Sequence, residues 1–172
     1  MRRTFLVLVT STLVGCTGSI TSDQAELWNI KFGNRVPKSS PSQFVRAFDK
    51  FCVEPESPSA REKLLRKASF IPTKPKRPDK PQVYFVDDRR PAIVISDTLC
   101  SARALSRTGQ TQRLRSYIET KFRIVRSLQP SSVGPEVEQL WQFDGPARVL
   151  IATERGQTID GLTTFAVTIF RP

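Results

Sequence analysis

Histidine is absent from the chain, methionine occurs once and cysteine three times. The missing histidine excludes a Ser-His-Asp triad, a Cys-His nucleophile pair and any His-ligated metal centre. Glycine is scarce too, eight in 172 residues, and no G-x-x-x-x-G-K or G-x-G-x-x-G phosphate loop occurs. The acids are scattered and form no D-x-D-x-D-G calcium loop. No apolar run reaches the ~20 residues that a permanent membrane helix needs. Acid is in deficit, with 16 Asp and Glu against 27 Lys and Arg, a formal charge of +11. Hydrophobic residues make up 38%, lean but enough for a core. The length fits one domain. The composition implies neither a metal nor a cofactor.

What is present begins at the N-terminus. Arg2 and Arg3 form a short basic region, and an apolar stretch runs from Phe5 to Val14. Its length suits a secretory signal. It ends in Leu13-Val14-Gly15-Cys16. Small residues before a cut and a thiol after it resemble the lipobox of bacterial lipoproteins. The resemblance covers residues 1–16 only. It implies a signal peptide over 1–15, lipidation (diacylglycerol and palmitate-type acyl chains) at Cys16, and a membrane held through that lipid. Thr17 in place of Asp favours the outer membrane, facing the periplasm. Several acyl chains anchor far better than one. Residues 16–39 then read as a lipidated tether, and 40–172 as a single domain. Within the tether, Leu27, Trp28, Ile30 and Phe32 form an apolar patch, placed to dock on the domain or on the membrane surface.

With Cys16 lipidated, Cys52 and Cys100 remain. An even remainder in an exported chain reads as one disulfide. No C-x-x-C spacing supports a redox role.

Along the domain, Ser40-Pro41-Ser42-Gln43 opens a helix. Phe44, Ala47, Phe48, Phe51 and Cys52 fall on one face of it. Ser59-Ala60-Arg61-Glu62 reads as a second capping box, ahead of a short helix. Residues 72–81 form a stiff, basic, proline-rich connector. Val83–Val86 and Ala92–Ile95 are strand-like, joined by the charged loop Asp87–Pro91. A break follows Asp97, before Leu99–Leu105. A third helix spans about Thr111 to Val125, with Leu114, Tyr117, Ile118, Phe122 and Val125 inward and Lys121 snorkelling from that seam. Three alternating strands close the chain, around Val137–Phe143, Val149–Thr153 and Thr164–Ile169, with a loop over Arg155–Gly161. The order α-α-β-β-α-β-β-β is an α+β pattern. It predicts one antiparallel sheet of about five strands, helices on one face, and Cys52–Cys100 tying the first helix to the sheet.

Few catalytic constellations offer themselves. Asp87 and Asp88 are adjacent and flanked by Arg89 and Arg90, which reads as a salt-bridged turn. Asp97 is a lone acid near a strand end. Between Arg103 and Arg126 there are seven basic residues and one acid. Arg103, Arg107, Arg113, Arg115, Arg123 and Arg126 form the candidate basic face. Such a stripe binds anionic lipid or polymer, or simply solubilises. Nucleic acid is disfavoured for an exported lipoprotein. The sequence therefore predicts a lipid-anchored cell-envelope protein, a non-enzymatic binding or scaffolding module. Its partner would be an anionic envelope lipid or polymer, or another envelope protein. The alternative is an envelope hydrolase using carboxylates, Asp97 with Asp87 or Asp88.

Overall fold

The computed structural model describes residues 39–73, 80–106, 110–130, 135–143, 149–159 and 162–171. The signal segment, Cys16, the tether as far as residue 38, most of the proline-rich connector and Arg107 lie outside them.

Helix α1 spans Pro41–Phe48, with Pro41 in its first turn. Ser40 caps it, its Oγ accepting from Gln43 N at 3.3 Å. The helix widens into a π turn over Asp49–Val53, closed by Glu54 N donating to Asp49 O at 2.9 Å. This segment buries Phe44, Phe48, Phe51 and Cys52. Helix α2 spans Pro58–Lys67 and is capped by Ser57, whose Oγ accepts from Ala60 N at 3.2 Å. The cap expected at Ser59 thus lies inside the helix. Pro58, without an N–H, suits the first helical position and fixes the cap one residue before it. The helix stops at a left-handed residue, Ser69, with φ 65°. Phe70 N donates to Leu65 O and Ser69 N to Arg66 O, the paired bonds of a Schellman stop.

Among the described residues eight strands follow, with helix α3 (Gln110–Lys121) between the fourth and fifth. They are β1 (Ile71–Pro72), β2 (Gln82–Phe85), β3 (Ala92–Ile95), β4 (Leu99–Ser106), β5 (Ile124–Leu128), β6 (Val137–Phe143), β7 (Leu150–Ile159) and β8 (Leu162–Phe170). They form one antiparallel sheet in the order β1-β2-β3-β4-β8-β7-β6-β5. Two four-stranded meanders therefore meet where β4 pairs with β8.

The class is α+β, but the expected five strands are too few. Three were missed. Strand β1 is a proline-containing pair of residues on the sheet edge, where a missing N–H is tolerated. The break after Asp97 is a hairpin, with Ser96 N bonding Leu99 O at 2.9 Å, so Leu99–Ser106 turns back along β3. Helix α3 ends at Lys121 rather than near Val125, and the released residues pair with β6. The expected loop over Arg155–Gly161 is also mostly strand, since β7 runs on to Ile159 with a register shift between Arg155 and Thr158.

The three helices of the described residues pack on one face. Phe44, Phe48, Leu65, Leu114 and Ile118 meet Ile93, Ala102, Trp141, Ile151, Phe165 and Val167 in one cluster. The far face is buried along its centre as well. Val94, Ala152, Ala166 and the bonded hydroxyls of Ser101 and Thr168 lie there, 3.0 Å apart in the last case.

Cys52 and Cys100 are bonded, with Cα atoms 5.3 Å apart, inside the usual span for a disulfide. The sequence separation is 48. Replacing Cys52 by Ala should cost about 2–5 kcal/mol in denaturant unfolding. Hydrogen exchange should quicken most in α1 and the π turn, and least in β5–β7. Equal loosening everywhere would show that the bridge does not act through the helix.

Candidate functional site

Helices α1 and α3 lie side by side and leave a groove of about 430 Å³. Ser42, Val45 and Arg46 line it from α1, and Arg113, Ser116, Tyr117 and Thr120 from α3. The sequence dictates this lining. The apolar stripe of α1 turns Phe44, Ala47 and Phe48 toward the sheet, so Ser42, Val45 and Arg46 fall on its flank. On α3, Leu114 and Ile118 face the sheet, and Arg113, Ser116, Tyr117 and Thr120 take the side next to α1. Arg46 and Arg113 are exposed, and neither has an ion-pair partner among the described residues. The groove thus offers two guanidiniums and several hydroxyls around an apolar floor.

An ion pair joins the same two helical segments. Lys121, expected to snorkel, reaches back to the Asp49 carboxylate on the π turn. Its ammonium also lies 5.6 Å from the centre of the Tyr117 ring. The Tyr117 hydroxyl is buried and makes no hydrogen bond of good geometry. Burial first, and then the neighbouring Asp49, pushes its pKa far above the usual tyrosine value.

The basic face of the sequence divides in space. Arg113 stands in the groove. Arg115 is half-buried, its Nε without an acceptor. Arg123 is exposed in the turn after α3. Arg103 pairs with Ala92 and Ala166, and Arg126 with Gln142, which places both on the far face. Four strand spacings separate those two, about 19 Å. Arg46, which does join Arg113, lies outside the stripe because it stands 67 positions earlier in the sequence. The only signal for it was its place beside the apolar stripe of α1.

The carboxylates divide as well. Asp88 accepts from Arg90 N at 2.7 Å and pairs with Arg90 Nε at 2.6 Å, the salt-bridged turn expected from the sequence. Asp87 and Asp88 sit at the start of β3 and Asp97 beyond its end, so the strand keeps them apart. Asp97 instead lines a cleft of about 170 Å³ with Glu56, Arg61, Thr98, Cys100 and Arg171. Among the described residues no cluster of His, Cys, Asp and Glu could hold a metal. No helix among them is long and apolar enough to cross a membrane.

No family model matches the chain, and neither the curated proteins nor the solved structures contain a match.

The two tyrosines, Tyr117 in the groove and Tyr84 on β2 beside α2, give the fold a pH signature. Tyr84 is held up at about 12, by burial first and then by the Glu62 carboxylate. Tyr117 is raised further, again mainly by burial. In the unfolded chain both ionise near pH ~10. Above that pH the unfolded state binds fewer protons than the native one, so stability falls as pH rises. The loss should approach about 1.4 kcal/mol per pH unit per tyrosine between ~10 and 12. Absorbance at the tyrosinate band should titrate late in native protein and normally in denatured protein. Native titration at the ordinary value would contradict the packing of both rings.

Proposed function

We propose that this protein is a lipid-anchored module of the bacterial cell envelope, with the groove between α1 and α3 as its contact for an anionic envelope component. The observation that carries the binding half is the pair Arg46 and Arg113. Two exposed guanidiniums face one groove, and no acid among the described residues neutralises either. A guanidinium fork suits phosphate and carboxylate oxygens, and the hydroxyls of Ser42, Ser116 and Thr120 add further donors. The anchoring half rests on Leu13-Val14-Gly15-Cys16 with its basic and apolar approach. The module works by binding rather than by turnover. A hydrolase combining Asp97 with Asp87 or Asp88 lacks support, because those acids occupy opposite ends of β3.

Two experiments test the halves separately. Metabolic labelling with a fatty acid should mark the wild type and leave Cys16→Ser unmarked and uncleaved. Equal labelling would refute the anchor. For the groove, phosphorylated lipid A and an anionic phospholipid are titrated into the protein in non-ionic detergent. A cation near an anionic surface contributes about 1 kcal/mol. The double variant Arg46→Glu, Arg113→Glu should therefore weaken binding at least about tenfold. Arg103→Glu with Arg126→Glu, on the far face, should change it by less than about twofold. Equal losses in both pairs would mean diffuse attraction to a basic surface, with no contact site in the groove.

A further inference from the structure

Two more guanidiniums meet at the C-terminal end of the α1 segment. Arg61 of α2 is only 4% exposed and donates Nε to Phe51 O at 2.9 Å. Arg171, just past β8, donates Nη2 to Cys52 O at 2.9 Å. The acceptors are successive carbonyls, so the two cations stand side by side. These carbonyls carry the negative end of the helix dipole, equivalent to roughly half a charge. That is less than the two full charges set against it. Among the described residues neither guanidinium has a salt bridge. A buried cation without a counter-charge is costly. Both are held below the usual arginine range, by burial first, and Arg61 also by the charge of Arg171.

A cleft of about 170 Å³ opens on this pair. Arg61 is its buried floor, while Glu56 and Asp97 stand exposed at its rim. A free anion would meet repulsion at the rim, and a free cation repulsion at the floor. A ligand with both charges, a few bonds apart, meets attraction at each level. The volume equals about five or six waters at their liquid share, far below the range for drug-sized ligands.

We infer that this cleft binds a small zwitterion, its carboxylate or phosphate on Arg61 and Arg171 and its ammonium between Glu56 and Asp97. Arg61 keeps both Nη groups for the anion, and Arg171 keeps Nε and Nη1. The site is separate from the groove between α1 and α3, and stands or falls without it.

The test uses the whole protein in a non-ionic detergent, titrated calorimetrically with O-phosphoethanolamine, glycine, inorganic phosphate and ethanolamine. At least one zwitterion should bind about tenfold tighter than either single-charge probe. Tighter binding of glycine assigns the carboxylate form, and tighter O-phosphoethanolamine the phosphate form. Glu56→Gln with Asp97→Asn should erase the advantage over inorganic phosphate, with phosphate itself binding no worse. Both positions are exposed, so this variant tests the site without disturbing the core. Arg171→Gln should weaken zwitterion and phosphate alike, about tenfold. Binding of phosphate as tight as the zwitterion, no binding of any probe at about 50 mM, or affinities indifferent to the rim variant would each overturn the assignment.

Discussion

The architecture depends on what is done at β4. This strand bonds β3 on one side and β8 on the other, and it alone joins the two meanders. Cys100 sits on it, in register with Ile95 and Ile169, and the disulfide fixes the end of the α1 segment to that seam. A helix pinned at a sheet edge would leave the joint of the two halves uncovered. Pinned at β4, it covers the joint with Phe44 and Phe48, and Phe44 packs 5.6 Å from Phe165 of β8. The place beside β4 is taken by β8. The chain leaving β4 must therefore cross to the outer edge of the sheet to start β5, and α3 makes that crossing. Two helices on one sheet face, one pinned and one crossing, leave the groove between them. The candidate site follows from strand order.

The π turn belongs to the same constraint. It holds Phe51 and Cys52 in the core at the point where α1 must meet β4. Its carbonyls then end at buried or half-buried positions, away from other backbone donors. Unpaired buried carbonyls cost more than a made hydrogen bond returns. Arg61 and Arg171 meet that need from α2 and from the end of β8, elements far apart in sequence. A single neutral donor would serve one carbonyl at less cost in buried charge. Two guanidiniums serve the whole end and leave donors over, directed at the cleft.

The legible parts of the fold were those with a period. The stripe Phe44, Ala47, Phe48, Phe51, Cys52 gave α1, and its last residue pointed to the bridge. Alternation gave β6 and β8, and the charged loop Asp87–Pro91 gave the β2–β3 hairpin. What failed was whatever lacked a period of its own. Residues 99–106 look irregular alone, and become a strand because β3 and β8 offer ladders on both sides. Ile124–Leu128 continues the helix-like pattern of α3 and yields to pairing with β6. One signal was present and unused: Ala92-Ile93-Val94-Ile95 is apolar at every position. A strand with one wet face alternates, whereas a continuous apolar run marks burial on both faces. All four residues are buried. The candidate sites were less legible than the fold. A stripe of arginines in sequence spans β4, α3 and β5, three elements that the topology sets apart. In sequence Arg61 sits inside the capping-box pattern Ser59-Ala60-Arg61-Glu62, and its bond to Phe51 O depends on the π turn, which no local pattern announces.

The groove and the cleft flank one helical segment, and they differ in kind. In the groove Arg46 and Arg113 are exposed and unneutralised, so it offers net charge to a partner arriving from solvent. Attraction of that sort fades beyond a Debye length of about 8–10 Å and weakens as salt rises. In the cleft the charges nearly balance, and Arg61 lies in the interior, where ions of the medium do not screen it. Recognition there depends on the placement of opposite charges on a small ligand. One surface thus suits extended anionic material, the other a single small group. The ion pair between Asp49 and Lys121 stands at the junction, joining the π turn to α3. The carboxylate of the π turn is taken by that pair, and no acid lines the groove beside Arg46 and Arg113.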